Sequence, residues 1–160
     1  MSEIQRDGHW LVARDKRGLL TAMMRHLAGD SHISFEGDLS HCDFPPSLLP
    51  SAEETAALQR ATAFPRLDFV VLPLKDDTVR PILNIVLPKN RFMKDIVHIQ
   101  IEKEGKLEFG SYDNFHHECI VCFLGVSTDL LQSLQEGGIL RSWGALPRAD
   151  WGHGRTGVRA

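Results

Sequence analysis

Residues 95–123 read DIVHIQIEKEGKLEFGSYDNFHHECIVCF, and this stretch decides the fold of the chain. Its first part alternates apolar and polar side chains, which is the period of a strand with one buried face. The apolar members are Val97, Ile99 and Ile101, and the polar members are His98, Gln100 and Glu102. We therefore predict a strand, followed by a second one in which Leu107 and Phe109 join the same apolar side.

The turn between these two strands sets which residues pair. A two-residue turn would place Glu102 opposite Leu107 and mix polar with apolar side chains on one face. A three-residue loop over residues 103–105 instead pairs Ile101 with Leu107. This loop also places Gly105 at the left-handed position that three-residue hairpins require, so we predict the three-residue loop.

A polar loop and a buried strand complete the stretch. Residues 110–118 are rich in turn-forming residues and poor in aliphatic ones, which indicates a loop or a distorted strand edge. Residues 119–124 are apolar on both faces. That pattern is typical of a strand in the middle of a sheet, with both of its faces covered.

Composition places the chain among ordinary globular proteins. Its 160 residues are 42% hydrophobic and 24% charged, with a formal net charge of −3. The start lacks the pattern of a signal peptide, and no apolar run approaches the ~18 residues of a membrane span. The three cysteines form no closed disulfide set. We therefore expect a cytoplasmic protein with reduced thiols that does not contact a membrane.

The rest of the chain alternates strands and helices at its two ends. Strands are predicted at 9–13, 32–40, 67–74, 81–87 and 139–143, and helices at 15–29, 51–63 and from Ser127 onward. This order favours a single α+β domain over residues 1–143, with a mixed or mostly antiparallel sheet and two to three helices packed mainly on one face. Residues 45–65 form a helical insertion in this prediction, and residues 144–160 form a flexible tail that contains glycine and arginine.

Residues 12–20, VARDKRGLL, and 31–34, SHIS, resemble the opening of ACT-type amino-acid-binding domains. These domains begin with a strand, an Asp-x-x-Gly-Leu-Leu turn, a helix and a second strand. The matching residues here are Asp15, Gly18, Leu19 and Leu20. The resemblance covers only the start of the chain and implies a split strand-helix-strand opening. It also implies a small-molecule sensor as one functional alternative.

The polar loop and the strand after it carry groups that bind metals in other proteins. These groups are Asp113, Asn114, His116, His117, Glu118, Cys119 and Cys122. In a strand over 119–124, however, Cys119 and Cys122 point to opposite faces and cannot share one ion. A structural zinc site has four ligands, and a second Cys-x-x-Cys pair is missing. We expect no metal and no cofactor; any metal ligands would be His117, Cys119, His41 and Cys42.

A second polar cluster comprises His32, Glu36, Asp38, His41, Cys42 and Asp43. Carboxylates and a histidine perform general acid–base chemistry when neighbours shift their pKa values, and a thiol near an imidazole suggests a nucleophile. The same polar row is typical of the solvated face of an antiparallel sheet. An enzyme would use Asp38, His41 and Cys42 with His116 and His117 brought close by the fold.

A binding protein is the function that we expect first. The sequence has no phosphate-binding glycine loop, nucleophile elbow or His-Glu-x-x-His motif. Contact residues are predicted in the polar loop: Tyr112, Asp113, Asn114, Phe115, His116, His117 and Glu118. Aromatic side chains within a polar rim are typical of interface anchors, and the negative net charge favours a basic protein partner. The concrete hypothesis is a bacterial immunity-type protein that neutralises a toxin.

Other partners follow less directly from the sequence. The tail region carries aromatic and basic residues, namely Trp143, Trp151, His153, Arg155 and Arg159. Such residues can mark a nucleic-acid contact, but the acidic balance of the chain argues against one. A homodimer through an exposed strand edge is compatible with every hypothesis. The enzyme and the small-molecule sensor remain the two alternatives.

Overall fold

Seven strands and three helices occur within residues 7–88 and 93–147, which are the residues that the computed structural model describes. The strands are β1 (Gly8–Ala13), β2 (Ser31–Gly37), β3 (Asp68–Leu74), β4 (Ile96–Lys103), β5 (Lys106–Ser111), β6 (Ile120–Phe123) and β7 (Leu140–Ala145). The helices are α1 (Lys16–Leu27), α2 (Val79–Val86) and α3 (Thr128–Glu136), with short 3-10 turns at Pro46–Leu48 and Met93–Asp95.

All seven strands form one antiparallel sheet in the order β3-β2-β4-β5-β6-β1-β7. The predicted α+β class with a mostly antiparallel sheet is therefore confirmed. Three strands separate β1 from β2, so the strand-helix-strand opening is split across the sheet. The predicted hairpin strand β4 lies between β2 and β5, and Ile99 and Ile101 pair with Phe35 and Ile33.

One face of the sheet, the core face, carries the apolar residues of the alternating strands. Ile33, Phe35, Ile99, Ile101 and Phe109 are at most 1% exposed and belong to one core cluster. Buried residues of α1, α2 and α3 belong to the same cluster, and those of α1 are Leu19, Leu20, Met23, Met24 and Leu27. Burial of each such side chain contributes about 1.5–3 kcal/mol to folding.

Two helix starts follow the capping residues that the sequence indicates. The Asp15 carboxylate accepts a hydrogen bond from Gly18 N at 3.0 Å, at the start of α1. The Ser127 hydroxyl accepts one from Leu130 N at 3.2 Å, at the start of α3. Each bond satisfies one main-chain N–H that the first helical turn leaves without a partner.

The strand predicted at 81–87 is wrong, because residues 81–86 belong to α2 and Leu87 is its C-cap. Val79, Ile82 and Val86 are the buried residues, and their spacing of three and four is helical. A short apolar run fits both a strand and a buried helix, and periodicity alone does not separate them. Packing against α1 and the core selects the helix here.

The helix predicted at 51–63 is also wrong. Residues 51–67, which we call the strap, run without helical structure, and the only helical turn of the predicted insertion is Pro46–Leu48. Ser51 forms an isolated bridge with Val71, and its hydroxyl accepts from Glu53 N at 3.1 Å. Leu58 is fully buried against β3, so the strap is held by contacts to the sheet and not by its own helical hydrogen bonds.

The predicted three-residue hairpin loop is replaced by a two-residue turn. Glu104 and Gly105 have φ of 54° and 85°, which is the conformation of a tight hairpin turn between twisted strands. Glu102 consequently pairs with Leu107, and a bulge beside Ile101 restores the apolar register further along. The pairing of polar Glu102 with apolar Leu107 is tolerated because Leu107 packs against the cluster formed by Leu58, Phe69 and Val71.

The last strand continues past the predicted end at Trp143 to Ala145. Trp151, His153, Arg155 and Arg159, and residues 148–160 in general, lie outside the described residues. Within the described part of the chain, no helix is long and apolar enough to cross a membrane.

We predict that two glycine-to-alanine substitutions lower the free energy of unfolding by different amounts, because only one of them adds a steric clash. Gly105→Ala meets no atom within 4 Å, so only its positive φ destabilises the fold, by about 1 kcal/mol. Gly37→Ala places its Cβ 2.8 Å from Val97 N and against Asp95 O, and should cost about 1–3 kcal/mol more. Urea unfolding measures both values, and equal costs would show that the backbone yields at Gly37 without penalty.

Candidate functional site

The face of the sheet opposite the core face, which we call the polar face, buries an unusual set of side chains. Ser34, Glu36, His98, Gln100 and Glu102 are all less than 9% exposed. They come from β2 and β4, and the register places Glu36 opposite His98 and Ser34 opposite Gln100. Buried polar groups are stable only with hydrogen-bond partners, and the strap supplies several of them.

Glu36 binds the main chain of the strap. Its carboxylate accepts hydrogen bonds from Ala61 N at 2.8 Å and from Thr62 N at 3.3 Å. The Thr62 hydroxyl lies 2.7 Å from His98 Nε2. One carboxylate on β2 and one imidazole on β4 therefore hold two consecutive strap residues against the sheet.

The contacts of His98 assign its tautomer. Asp113 N donates to His98 Nδ1 at 3.2 Å, so Nδ1 accepts and the proton of the neutral ring is on Nε2. The Nε2–H then donates to the Thr62 hydroxyl. Burial lowers the pKa of His98, while Glu36 and Asp113 oppose that shift. The ring is consequently neutral at physiological pH and acts as a bridge between the strap and the loop after β5.

Tyr112 extends this network across the sheet. Its hydroxyl donates to Gln100 Oε1 at 3.1 Å, and Gln100 Nε2 donates to Gln59 O of the strap at 2.8 Å. The ring crosses Gly110, where a Cβ would lie 2.6 Å from the tyrosine oxygen. Burial, with a smaller contribution from Glu36, raises the pKa of Tyr112 to about 12.

An open cleft of about 760 Å³ lies between the strap and the polar face. The strap contributes Ala56, Ala57, Gln59, Arg60, Ala61 and Thr62, and the sheet side contributes His98, Gln100, Tyr112, Asp113, Glu118, Cys119 and Val121. The three alanines of the strap wall leave room for a side chain or a small molecule. Pockets that bind drug-sized ligands have volumes of roughly 300–1,000 Å³.

Residues 112–119 form one border of the cleft, and we call them the rim loop. The loop is closed by hydrogen bonds from Tyr112 N to Cys119 O at 2.9 Å and from Cys119 N to His116 O at 2.8 Å. Asn114 fastens it to β4, because its main-chain N donates to Val97 O at 2.7 Å and its side-chain amide donates to Ile96 O at 2.9 Å.

Three successive residues of the rim loop have left-handed backbone conformations. Asp113, Asn114 and Phe115 have φ of 54°, 55° and 60°. This conformation costs roughly 1–2 kcal/mol per residue for side chains other than glycine, with Asn and Asp tolerating it best. Phe115 is only 4% exposed and anchors the turn in the core. Strained backbone that its surroundings hold in place is frequent at ligand-binding sites.

The structure corrects which rim side chains are exposed. Phe115 is buried and Tyr112 is largely covered, so neither is the exposed aromatic anchor that we predicted. Asp113, His116 and His117 are exposed, and the two imidazole rings stack with centroids 4.3 Å apart. The loop therefore presents charged and imidazole groups from a framework whose aromatic residues face inward.

The second predicted cluster is dispersed over several environments. Asp38 is exposed, and hydrogen bonds from Ser40 lower the pKa of its carboxyl group. His41 lies 3.9 Å from Asp95, and Cys42 packs beside the core. Asp43 is exposed, whereas His32 makes a contact of 2.6 Å with Glu102 on the polar face.

The two His/Cys clusters do not form one ligand set. Within the part of the chain that the structure describes, one group of three potential metal ligands lies close together, namely His116, His117 and Glu118. Neither His41 nor Cys42 belongs to it. Cys119 lines the cleft, with its Sγ 4.0 Å from His116 Nδ1, whereas Cys122 lies in the core, where burial raises the pKa of its thiol to about 12.

Sequence reasoning did not select His98 or Gln100 as site residues. Their signal is visible in hindsight as a polar row on β4 that faces a second polar row on β2. A single alternating strand is ordinary, but two adjacent ones place two polar rows side by side, and here the strap covers both rows. The strap that satisfies these side chains carries no local signal of that role.

We predict that truncation of Glu36 loosens the strap. Glu36→Ala leaves two strap N–H groups without their acceptor, which should lower the free energy of unfolding by about 2–3 kcal/mol. Glu53→Ala is the matched control, since Glu53 is an exposed glutamate of the strap and its loss should change stability by less than about 0.5 kcal/mol. Urea unfolding and amide exchange at Ala61 and Thr62 measure the effect. Equal stability of the two variants would contradict this role of Glu36.

A second prediction concerns Tyr112, which is the only tyrosine of the chain. Its tyrosinate absorbance should appear with a midpoint near pH 12, compared with 10.0 in the unfolded chain. Between those values the unfolded state loses its proton first, so stability is full below pH 10 and falls as the pH rises towards 12. Spectrophotometric titration of the folded protein tests this shift, and an unshifted midpoint would mean that Tyr112 is solvated.

Comparison with models of protein families, with curated proteins and with solved structures finds no match to this chain. The resemblance to ACT-type domains therefore rests only on the residues of the opening segment, and the function must be argued from the site itself.

Proposed function

We propose that this chain is a binding protein that recognises a protein partner through the rim loop and the adjoining cleft. The observation that carries the proposal is the left-handed turn at Asp113, Asn114 and Phe115, which is held rigid beside an open cleft. The concrete form is a bacterial immunity-type protein that neutralises a toxin by direct contact.

Rigidity of the contact surface supports this proposal. Binding costs less entropy when the contacting groups are already ordered in the free protein. Main-chain hydrogen bonds join the rim loop to β4 at Val97 and to itself at Cys119, and a buried Phe115 fixes its centre. A loop with these anchors presents Asp113, His116 and His117 in one arrangement.

Charge supports a basic partner. The sheet-side wall of the cleft carries the carboxylates of Asp113 and Glu118, and the chain has a formal net charge of −3. On the strap side, the Arg60 guanidinium donates to Leu67 O at 2.9 Å and lies 4.9 Å from the centre of the Phe69 ring. These contacts hold the positive charge of Arg60 against the strap and β3. Complementary charge steers association and excludes partners of the same sign, so a cationic toxin fits this surface.

A small-molecule sensor is the second candidate, and the volume of the cleft is the observation that favours it. At about 760 Å³ the cleft lies within the size range of small-ligand pockets. Its convergent polar groups, Gln100, Tyr112 and Asp113, would orient a ligand that carries hydrogen-bond donors. An amino acid or a nucleotide has that chemistry.

We predict that filling the cleft abolishes partner binding. Ala61 is exposed and lines the cleft, so Ala61→Trp should block it while keeping the main-chain bond to Glu36. A partner enriched from the native host by the wild-type chain, then purified and titrated, should bind the variant about tenfold or more weakly, a loss of ~1.4 kcal/mol. Ala63→Trp is the matched control, because Ala63 is exposed but does not line the cleft.

The same two variants separate the candidates. A partner protein whose affinity falls with Ala61→Trp and not with Ala63→Trp supports the interaction protein. Stabilisation of the wild type by an amino acid or a nucleotide in a thermal-shift screen, lost in Ala61→Trp, supports the sensor instead. Equal partner binding by both tryptophan variants would remove the cleft from the contact surface.

A further inference from the structure

We propose that the rim loop holds a site for one divalent transition metal ion of the zinc class, with His116, His117 and Glu118 as its three protein ligands. The donor atoms of these side chains all lie within 4.8 Å of one another. Two imidazoles and a carboxylate form a ligand set that zinc accepts, with the fourth position left to water. This inference does not depend on the proposed protein partner.

The distances require only side-chain movement. Zinc bonds of ~2.0–2.2 Å place tetrahedral donors about 3.4 Å apart. His117 Nε2 is already 3.8 Å from Glu118 Oε2, and the two imidazole rings stack at an angle of 27°. Because both histidines are exposed, rotation about their side-chain bonds brings the donors together without a change in the backbone.

The backbone of the rim loop is what brings three consecutive residues onto one ion. In a strand, neighbouring side chains alternate between faces and could not converge. Here the left-handed turn at Asp113, Asn114 and Phe115 ends the alternation just before His116. The hydrogen bond from His116 N to Tyr112 O at 3.2 Å and that from Cys119 N to His116 O at 2.8 Å hold this geometry.

One hydrogen bond opposes metal binding and limits its strength. Glu118 N donates to His116 Nδ1 at 3.1 Å, so the neutral ring carries its proton on Nε2. A metal at Nδ1 displaces this bond, and a metal at Nε2 requires the other tautomer. Either route gives up one hydrogen bond. The site is therefore weaker than a closed four-ligand site.

The test is titration of the purified full-length chain with Zn²⁺, and with Co²⁺ as a coloured substitute whose visible spectrum reports nitrogen and oxygen ligands. We expect one ion per chain at about pH 7.5, and an affinity at least ~10-fold lower in His117→Ala and in Glu118→Gln. Because the His117 side chain is exposed, we expect His117→Ala to fold. Circular dichroism of each variant checks this.

His41→Ala and His26→Ala are the matched controls, because these two described histidines lie outside the rim loop. Both should bind Zn²⁺ as the wild type does. Wild-type affinity in His117→Ala and Glu118→Gln would overturn the site, and so would loss of binding in either control. The Ala61→Trp experiment measures partner binding and this one measures metal binding, so each proposal fails on its own result; of the three ligands, Glu118 also lines the cleft.

Discussion

A row of polar side chains buried on two adjacent interior strands constrains much of this structure. Glu36 on β2 and His98 on β4 lie opposite each other in the seven-stranded sheet, where unpaired buried polar groups would cost several kcal/mol. Their partners are main-chain and hydroxyl groups of Ala61 and Thr62. The strap therefore lies where it does because the sheet beneath it needs donors and acceptors.

The same constraint creates the cleft and its border. Because His98 uses one ring nitrogen for the strap and the other for Asp113 N, a single neutral imidazole fixes both walls. Tyr112 and Gln100 repeat this connection through Gln59 O. The space between the walls is consequently bounded by hydrogen-bonded groups on both sides.

The rim loop combines a strained left-handed backbone with exposed side chains at His116 and His117. Its left-handed turn is stabilised by the buried ring of Phe115 and by the bonds of Asn114 to β4. The free energy of those contacts offsets the backbone strain. His116, His117 and Glu118 follow directly, so the strained segment sets the spacing of the groups that a partner or a metal ion would meet.

Local patterns in the sequence determined most of the elements that pack on the core. The alternation around Ile99, the helical spacing of α1 and the caps at Asp15 and Ser127 all depend on residues within a few positions of each other. Tertiary contacts decided the rest. The apolar run at 81–86 became a helix by packing, and residues 51–63, which we predicted as a helix, became part of the strap.

Separation in sequence explains why some elements were predicted correctly and others were not. Periodicity and capping report on neighbours, whereas the strap bonds to residues 25 and 41 positions away, at Glu36 and Gln100. The sequence alone established an α+β chain with an antiparallel hairpin at its centre and a histidine-rich loop after it. That the loop borders a cleft, and that Tyr112 and Phe115 turn inward, depends on tertiary contacts, because the groups that hold these side chains come from other parts of the chain.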